Sequence, residues 1–272
     1  MRSSSRRPPG SAGARPGVPR ISARHVPRKR FGQHFLHDPG VVRKIVEAIA
    51  PAPEDAIVEI GPGEGVLTRP LLERAKRLDV IEIDRDLAAA LPGDRIQVHV
   101  ADALEFDYGV FPQGVRIVGN LPYNISTPLL FHLSRYADRV RDLHFMLQLE
   151  VVERMVAKPS TPAYGRLSVM LQTRFAMQKL FRVAPGAFRP PPKVESAVVR
   201  MVPLGSPLGC DEKVLEKVVR EAFSARRKTL RNALSLDPED YTELGIDAGL
   251  RPENLSPQDY LRIARRLARS DR

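Results

Sequence analysis

The sequence predicts an α/β protein, a mostly parallel sheet covered by helices on both faces, followed by a small all-helical domain. Three observations carry that prediction. Short apolar runs alternate with helical patterns as far as about residue 205. A glycine-rich turn, "GPGEG", follows the first buried run. Beyond residue 205 the apolar spacing is helical throughout.

Taken in order, "PGVVRKIVEAIA" (39–50) spaces its apolar residues as an amphipathic helix does. "AIVEI" (56–60) reads as a buried strand, "VLTRPLLERA" (66–75) as a helix and "DVIEI" (79–83) as a second strand. "RIQVHV" (95–100), "VRIVG" (115–119) and "LHFMLQ" (143–148) are further strands, and the alternating "VESAVVRMV" (194–202) is the last. Strand and helix in alternation imply a Rossmann-like sheet. After "GSPLG" come "DEKVLEKVVREAF" (211–223), "RKTLRNAL" (227–234) and "SPQDYLRIARRLAR" (256–269), the last opened by Ser256 as a cap. The expected division is a disordered basic arm over 1–27, an α/β domain over 28–205 and a helical domain over 206–272.

Composition narrows the function classes. No apolar run approaches the length of a membrane span. The single cysteine, Cys210, excludes an internal disulfide and a cysteine-rich zinc site, and no metal is expected. The net charge of +11 suggests a polyanionic partner, yet residues 1–30 hold nine basic side chains and no acidic one, leaving +2 for the remainder. A basic groove on the folded body therefore has to come from local clustering. The arm lacks the apolar segment of a secretory signal, and its scattered prolines argue against an amphipathic transit helix.

In "VEIGPGEG", Gly61, Gly63 and Gly65 lie between a strand and a helix, where glycine permits a sharp turn and close approach of a ligand. The dinucleotide fingerprint asks for a third glycine at the position of Val66, so the pyrophosphate seat is missing. Glu82 ends the next strand, where an acid accepts hydrogen bonds from ribose hydroxyls. Asp102 follows another strand and can accept from an adenine amine. The three loops describe a pocket for adenosine without a pyrophosphate, which fits S-adenosylmethionine better than a nicotinamide dinucleotide.

"GNLPYNIST" (119–127) follows the fourth of these strands. Methyl transfer to an adenine amine needs acceptors on the amine hydrogens, because its lone pair is conjugated with the ring. The Asn120 carboxamide supplies one acceptor. Leu121, held extended by Pro122, supplies a second through its main-chain carbonyl. Tyr123 can stack on the base. On this reading Leu121→Ala is tolerated where Pro122→Ala is not. The bland alternative is a proline turn with an asparagine cap.

From about Arg28 to the last helix the chain resembles the ribosomal RNA adenine N6,N6-dimethyltransferases. The matching stretches include "RKRFGQHFLHD", "VEIGPGEGVLT", "VIEIDRDLAA", "GNLPYNISTPLLFHL", "FRPPPKVESAVVRMVP" and "FSARRKTLRNAL". The resemblance implies a class I S-adenosylmethionine-dependent methyltransferase in which His34 and Leu36 contact the cofactor, with Gly61 and Gly63 beneath it. Glu82 would hold its ribose, Asp102 its adenine, and Asn120 would lie between cofactor and target. Phe188 would stack on the target adenine opposite Tyr123. His34 departs from the asparagine usual in the family. Arg226, Arg227, Lys228 and Arg231, at the start of a helix, and Arg262, Arg265, Arg266 and Arg269 on the last helix, are candidate phosphate contacts.

The implied activity is dimethylation of two adjacent adenosines near the 3′ end of small-subunit (16S) ribosomal RNA, late in subunit assembly, by a cytoplasmic monomer. Its partners would be the small ribosomal subunit and its RNA. Rival readings are a large-subunit dimethyltransferase of the macrolide-resistance type, an assembly factor acting mainly by binding, and, least supported, a nicotinamide oxidoreductase.

Overall fold

The computed structural model describes residues 34–91, 93–206 and 208–270. The basic arm expected over 1–27 lies outside them. A short strand β1 (Phe35–Leu36) leads into helix α1 (Pro39–Ile49). Asp38 caps that helix by accepting the Gly40 and Val41 N–H groups, and Pro39 occupies its first turn, where no N–H partner is needed. Strand β2 (Ile57–Ile60), helix α2 (Thr68–Leu72), strand β3 (Leu78–Glu82), helix α3 (Arg85–Ala90) and strand β4 (Ile96–Val100) follow. Then come β5 (Val115–Asn120), α4 (Ser126–Ser134), β6 (Val140–Gln148), α5 (Leu149–Met155) and α6 (Arg166–Gln172). The α/β part closes with β7 (Phe175–Val183), β8 (Phe188–Arg189) and β9 (Ser196–Pro203).

Seven strands form one sheet in the order β4-β3-β2-β5-β6-β9-β7, with only β9 running against the rest. The chain winds outward from β2 in one direction and from β5 in the other. The crevice at the carboxyl ends of these two strands is therefore where a ligand binds. Alternate residues of β5 feed opposite faces: Val115 and Ile117 pack with α4, and Val118 packs with α1 and α2. Gly119 is required at this crossing, since a Cβ there would stand 2.5 Å from the Ile60 carbonyl oxygen.

Strand β7 had no counterpart in the sequence reading. It is the edge strand, most of its residues half-exposed or exposed, and its register shifts between Lys179 and Phe181, which blurs the two-residue period. The two-stranded pairing of β1 with β8, Leu36 opposite Phe188, was equally illegible because its partners lie far apart in sequence.

The carboxyl-terminal helices are α7 (Glu212–Ser224), α8 (Leu230–Ala233), α9 (Pro238–Leu244) and α10 (Pro257–Ser270). Ser256 and Asp259 exchange hydrogen bonds at the start of α10, the expected cap. The helix expected over 227–234 shrinks to four residues because Leu230 and Arg231 donate to the Leu250 and Ala248 carbonyls instead of to their own turn. The apolar core of these helices also takes in Ala157, Tyr164, Val169 and Met170. Residue 206 therefore divides the chain less sharply than composition suggested, because α6 packs against α7 and α10.

Candidate active site

A cavity of roughly 290 Å³ opens at the carboxyl ends of β2, β3, β4 and β5, and Gly61, Gly63, Glu82, Asp102 and the Asn120–Tyr123 loop all line it. Gly61 (φ 65°) and Gly63 (φ 56°) adopt left-handed backbone that other residues rarely accept. The nearest atom to a Cβ on Gly61 would be the Asn120 carbonyl oxygen, 3.9 Å away, so the floor there is open to a ligand.

Glu82 is 5 % exposed. Its Oε2 accepts the Gly63 N–H at 3.2 Å and its Oε1 accepts the Asp84 N–H at 2.9 Å. Each oxygen keeps a second lone pair for a hydroxyl. Burial raises its pKa, the like charge of Asp84 adds to that, and backbone donors at Asp84, Gly63 and Ile83 counter it only in part. Asp102 uses Oδ1 to accept the Leu104 N–H at 2.9 Å, which leaves Oδ2 for an amine.

Glu59 also lines the cavity and was absent from the sequence reading. It is 1 % exposed and accepts a hydrogen bond from Thr68 Oγ1 at 2.7 Å. Burial first, with Glu82 nearby as a like charge, pushes it up to about 7. The signal was present in "IVEI", since a carboxylate inside an otherwise apolar central strand needs a reason to be there.

In the second motif, Asn120 Nδ2 donates to the His34 carbonyl at 3.1 Å. A carbonyl only accepts, so the amide nitrogen must face it and Oδ1 must point the other way. Among the described residues nothing donates to Oδ1 or to the Leu121 carbonyl. The Leu121 N–H is tied to the Met146 carbonyl of β6 at 3.1 Å, and the Ile125 N–H to that of Pro122 at 3.2 Å, so the loop is held at both ends. The Leu121 side chain, by contrast, is 1 % exposed in the core beneath. The expectation that Leu121→Ala would be harmless is therefore corrected, since truncation there opens a cavity.

His34 contributes its main chain, as just described, and lays its ring on that of Tyr123, centroids 5.4 Å apart at 29°. Its Nδ1 lies 2.7 Å from the Pro190 carbonyl, where it donates. Leu36 lines the cavity as expected. Phe188 does not: pairing of β8 with β1 turns its ring into the apolar cluster around Leu36 and Val183, at 2 % exposure. In this arrangement the ring offers no open face to the cavity. The ring opposite Tyr123 is that of His34.

The proposed phosphate contacts also separate. Arg226 Nε donates to Glu253 at 2.6 Å and another of its N–H groups donates to the Pro162 carbonyl, so it ties two parts of the fold together. Arg227, Lys228 and Arg231 are exposed, the first two in the turn between α7 and α8 and not on a helix start. On α10, Arg262 and Arg266 pair with Asp259, Asp240 and Glu243, and Arg265 donates to the Leu208 carbonyl. Among the described residues no group of three or more His, Cys, Asp or Glu side chains gathers as a metal site, and no helix is long and apolar enough to cross a membrane.

A parallel sheet of this order, with a glycine turn lacking the third glycine and acids at the ends of β3 and β4, defines a class I S-adenosylmethionine-dependent methyltransferase. The cavity suits that cofactor, offering acceptors for its hydroxyls and amine and two buried carboxylates for a ligand carrying positive charge. The chain belongs to the ribosomal RNA adenine dimethylase family, whose model matches residues 24–269. It is 56% identical over 254 residues to "Ribosomal RNA small subunit methyltransferase A" of Chromobacterium violaceum, covering 90% of this chain and 97% of that one. It is 59% identical over 247 residues to the protein of the same name from Nitrosospira multiformis, covering 88% and 95%. Among solved structures, a dimethyladenosine transferase from Plasmodium falciparum superposes with a TM-score of 0.76 at 27% identity, over 85% of this chain and 96% of that one. The 23S rRNA methyltransferase ErmE superposes at 0.65 with 28% identity, over 86% and 99%.

Proposed function

We propose that this enzyme transfers methyl groups from S-adenosylmethionine to N6 of two adjacent adenosines near the 3′ end of small-subunit ribosomal RNA, late in subunit assembly. It would act as a cytoplasmic monomer with the small subunit and its RNA as partners. Much higher identity to relatives named for the small subunit than to ErmE supports the choice of subunit. The observation that carries the chemistry is the orientation of Asn120, whose Oδ1 is turned away from His34.

When bound, the cofactor supplies a methyl on a sulfonium. Asn120 Oδ1 and the Leu121 carbonyl would accept the two N6 hydrogens in the first transfer to each base, and one of them the single hydrogen left for the second, which favours a pyramidal nitrogen with its lone pair directed at that methyl. N6 would take up the methyl that the cofactor gives up, and would then release a proton to solvent. Tyr123 positions the base by stacking, and Glu82 and Asp102 hold the cofactor's ribose and adenine. Catalysis rests on placement and fixed dipoles, with no strong base. Arg227, Lys228 and Arg231 are available to phosphates; Arg226 is already paired.

The deciding experiment is labelled methyl transfer to unmethylated small subunits, with the modified bases mapped. Label on two neighbouring adenosines of the small subunit supports the proposal; no label there, with transfer to large-subunit RNA in a parallel reaction, overturns it. Asn120→Ala is expected to lower transfer by at least ~100-fold while subunit binding persists.

A further inference from the structure

Stacking on a base needs the π face of Tyr123 and not its hydroxyl. That hydroxyl is nevertheless engaged: it lies 2.7 Å from Oγ of Ser196, 73 residues further along the chain. Ser196 is 0 % exposed and opens β9, where it faces Gln148 of β6 on one side and Val183 of β7 on the other. Both neighbours fix its backbone, and its hydroxyl has no other partner among the described residues. Tyr123, in contrast, belongs to the turn between β5 and α4, held on its own main chain by the Ser126 hydroxyl at 3.1 Å. A ring on such a turn can rotate about two side-chain bonds, whereas a base stacked for in-line transfer needs one ring plane.

We propose that Ser196 is a positioning residue for methyl transfer, pinning the Tyr123 hydroxyl and thereby setting the plane against which the target base stacks. This rests on the reading of Tyr123 as the base platform. Ser196 touches neither cofactor nor base; it acts through Tyr123. The hydrogen bond also explains why a tyrosine serves where a phenylalanine would stack equally well, since a half-buried hydroxyl without a partner would be a cost. Neither "NLPY" nor "KVES" discloses the pairing, because sheet closure brings them together.

The test uses the full-length protein and unmethylated small subunits, with single-turnover transfer and cofactor titration for Ser196→Ala, Tyr123→Phe, the double variant and Tyr123→Ala. Both single variants are expected to slow transfer by about tenfold, with cofactor affinity and melting temperature at the starting values. The double variant should be no slower than the slower single one, because both changes remove one interaction. Wild-type rates for Ser196→Ala, or losses that multiply in the double variant, overturn the proposal. So does a Ser196→Ala protein that loses cofactor affinity in step with its rate, which marks a purely structural residue. If instead Tyr123→Ala transfers at the wild-type rate, it is the platform role of Tyr123 that fails.

Discussion

At the amino-terminal edge of the sheet, Arg116 of β5 lies between Asp142 of β6, at 2.9 Å, and Asp55, at 2.7 Å. At the carboxyl edge of the same sheet, Glu59 and Glu82 line the crevice, and no basic side chain among the described residues bears on either. Both edges bury charge, but only one neutralises it. Arg116 also donates to the Ile49 and Ala50 carbonyls, whose helix has ended, so its donors are used on the chain itself. Burial alone would raise Asp142, and the adjacent His144 and Arg116 outweigh it and hold the carboxyl at about 2. At the other edge burial meets no counter-charge, and the acids are pushed up. The closed cluster belongs to the fold. The open one is a receptor for a ligand with hydroxyls and positive charge, and it stays uncomfortable until that ligand arrives.

The comparison is broken most directly at its closed end. Arg116→Met should destabilise the protein by about 3–5 kcal/mol, because two buried carboxylates lose the guanidinium between them and keep only Arg141 beside Asp55 and His144 beside Asp142, and a urea midpoint measures it. A loss below ~1 kcal/mol would mean that water already reaches this cluster. Next comes Leu121→Ala, which separates the two duties of the open edge. Truncating this core side chain should cost about 3 kcal/mol in denaturation, while the rate per folded molecule changes little because the carbonyl remains.

Glu59→Gln sharpens the contrast through pH. The folded value of Glu59 is raised from 4.5 to about 7. Its neutral form therefore contributes stability in full below the unfolded value, and that contribution is lost as pH rises through about 7. Wild-type stability should fall by up to about 3 kcal/mol across this window relative to Glu59→Gln. Parallel curves for the two proteins would show that Glu59 does not titrate there. The smallest expected effect is that of Glu82→Ala, a roughly 10- to 100-fold loss of cofactor affinity by calorimetry, with RNA binding unchanged. Equal losses of both would remove Glu82 from the cofactor side of the crevice.

How far the site was legible depended on where each contact came from. Gly61, Gly63, Glu82, Asp102 and Asn120 were readable because each sits at a strand end beside its own motif, and parallel strands bring such ends to one edge. The surroundings of Phe188 were not legible, because they are set by pairing with Leu36, more than 150 residues away in the chain, which "FRPPPK" cannot disclose. Arg226 is likewise indistinguishable in sequence from the three cations beside it, and only the pairing with Glu253 sets it apart. Glu59 is legible in its own strand, as the single acid in "IVEI".

By itself the sequence determined the alternation of strands and helices, the glycine turn that cannot seat a pyrophosphate, and the residues that crown the central strands. These follow from local periodicity and from backbone limits that each residue carries with it. Only the tertiary structure decided which charges are paired, that Asn120 turns its oxygen away from His34, and that Tyr123 is held by Ser196. Those are contacts between segments distant in sequence, fixed by strand order and burial, and no local pattern encodes them.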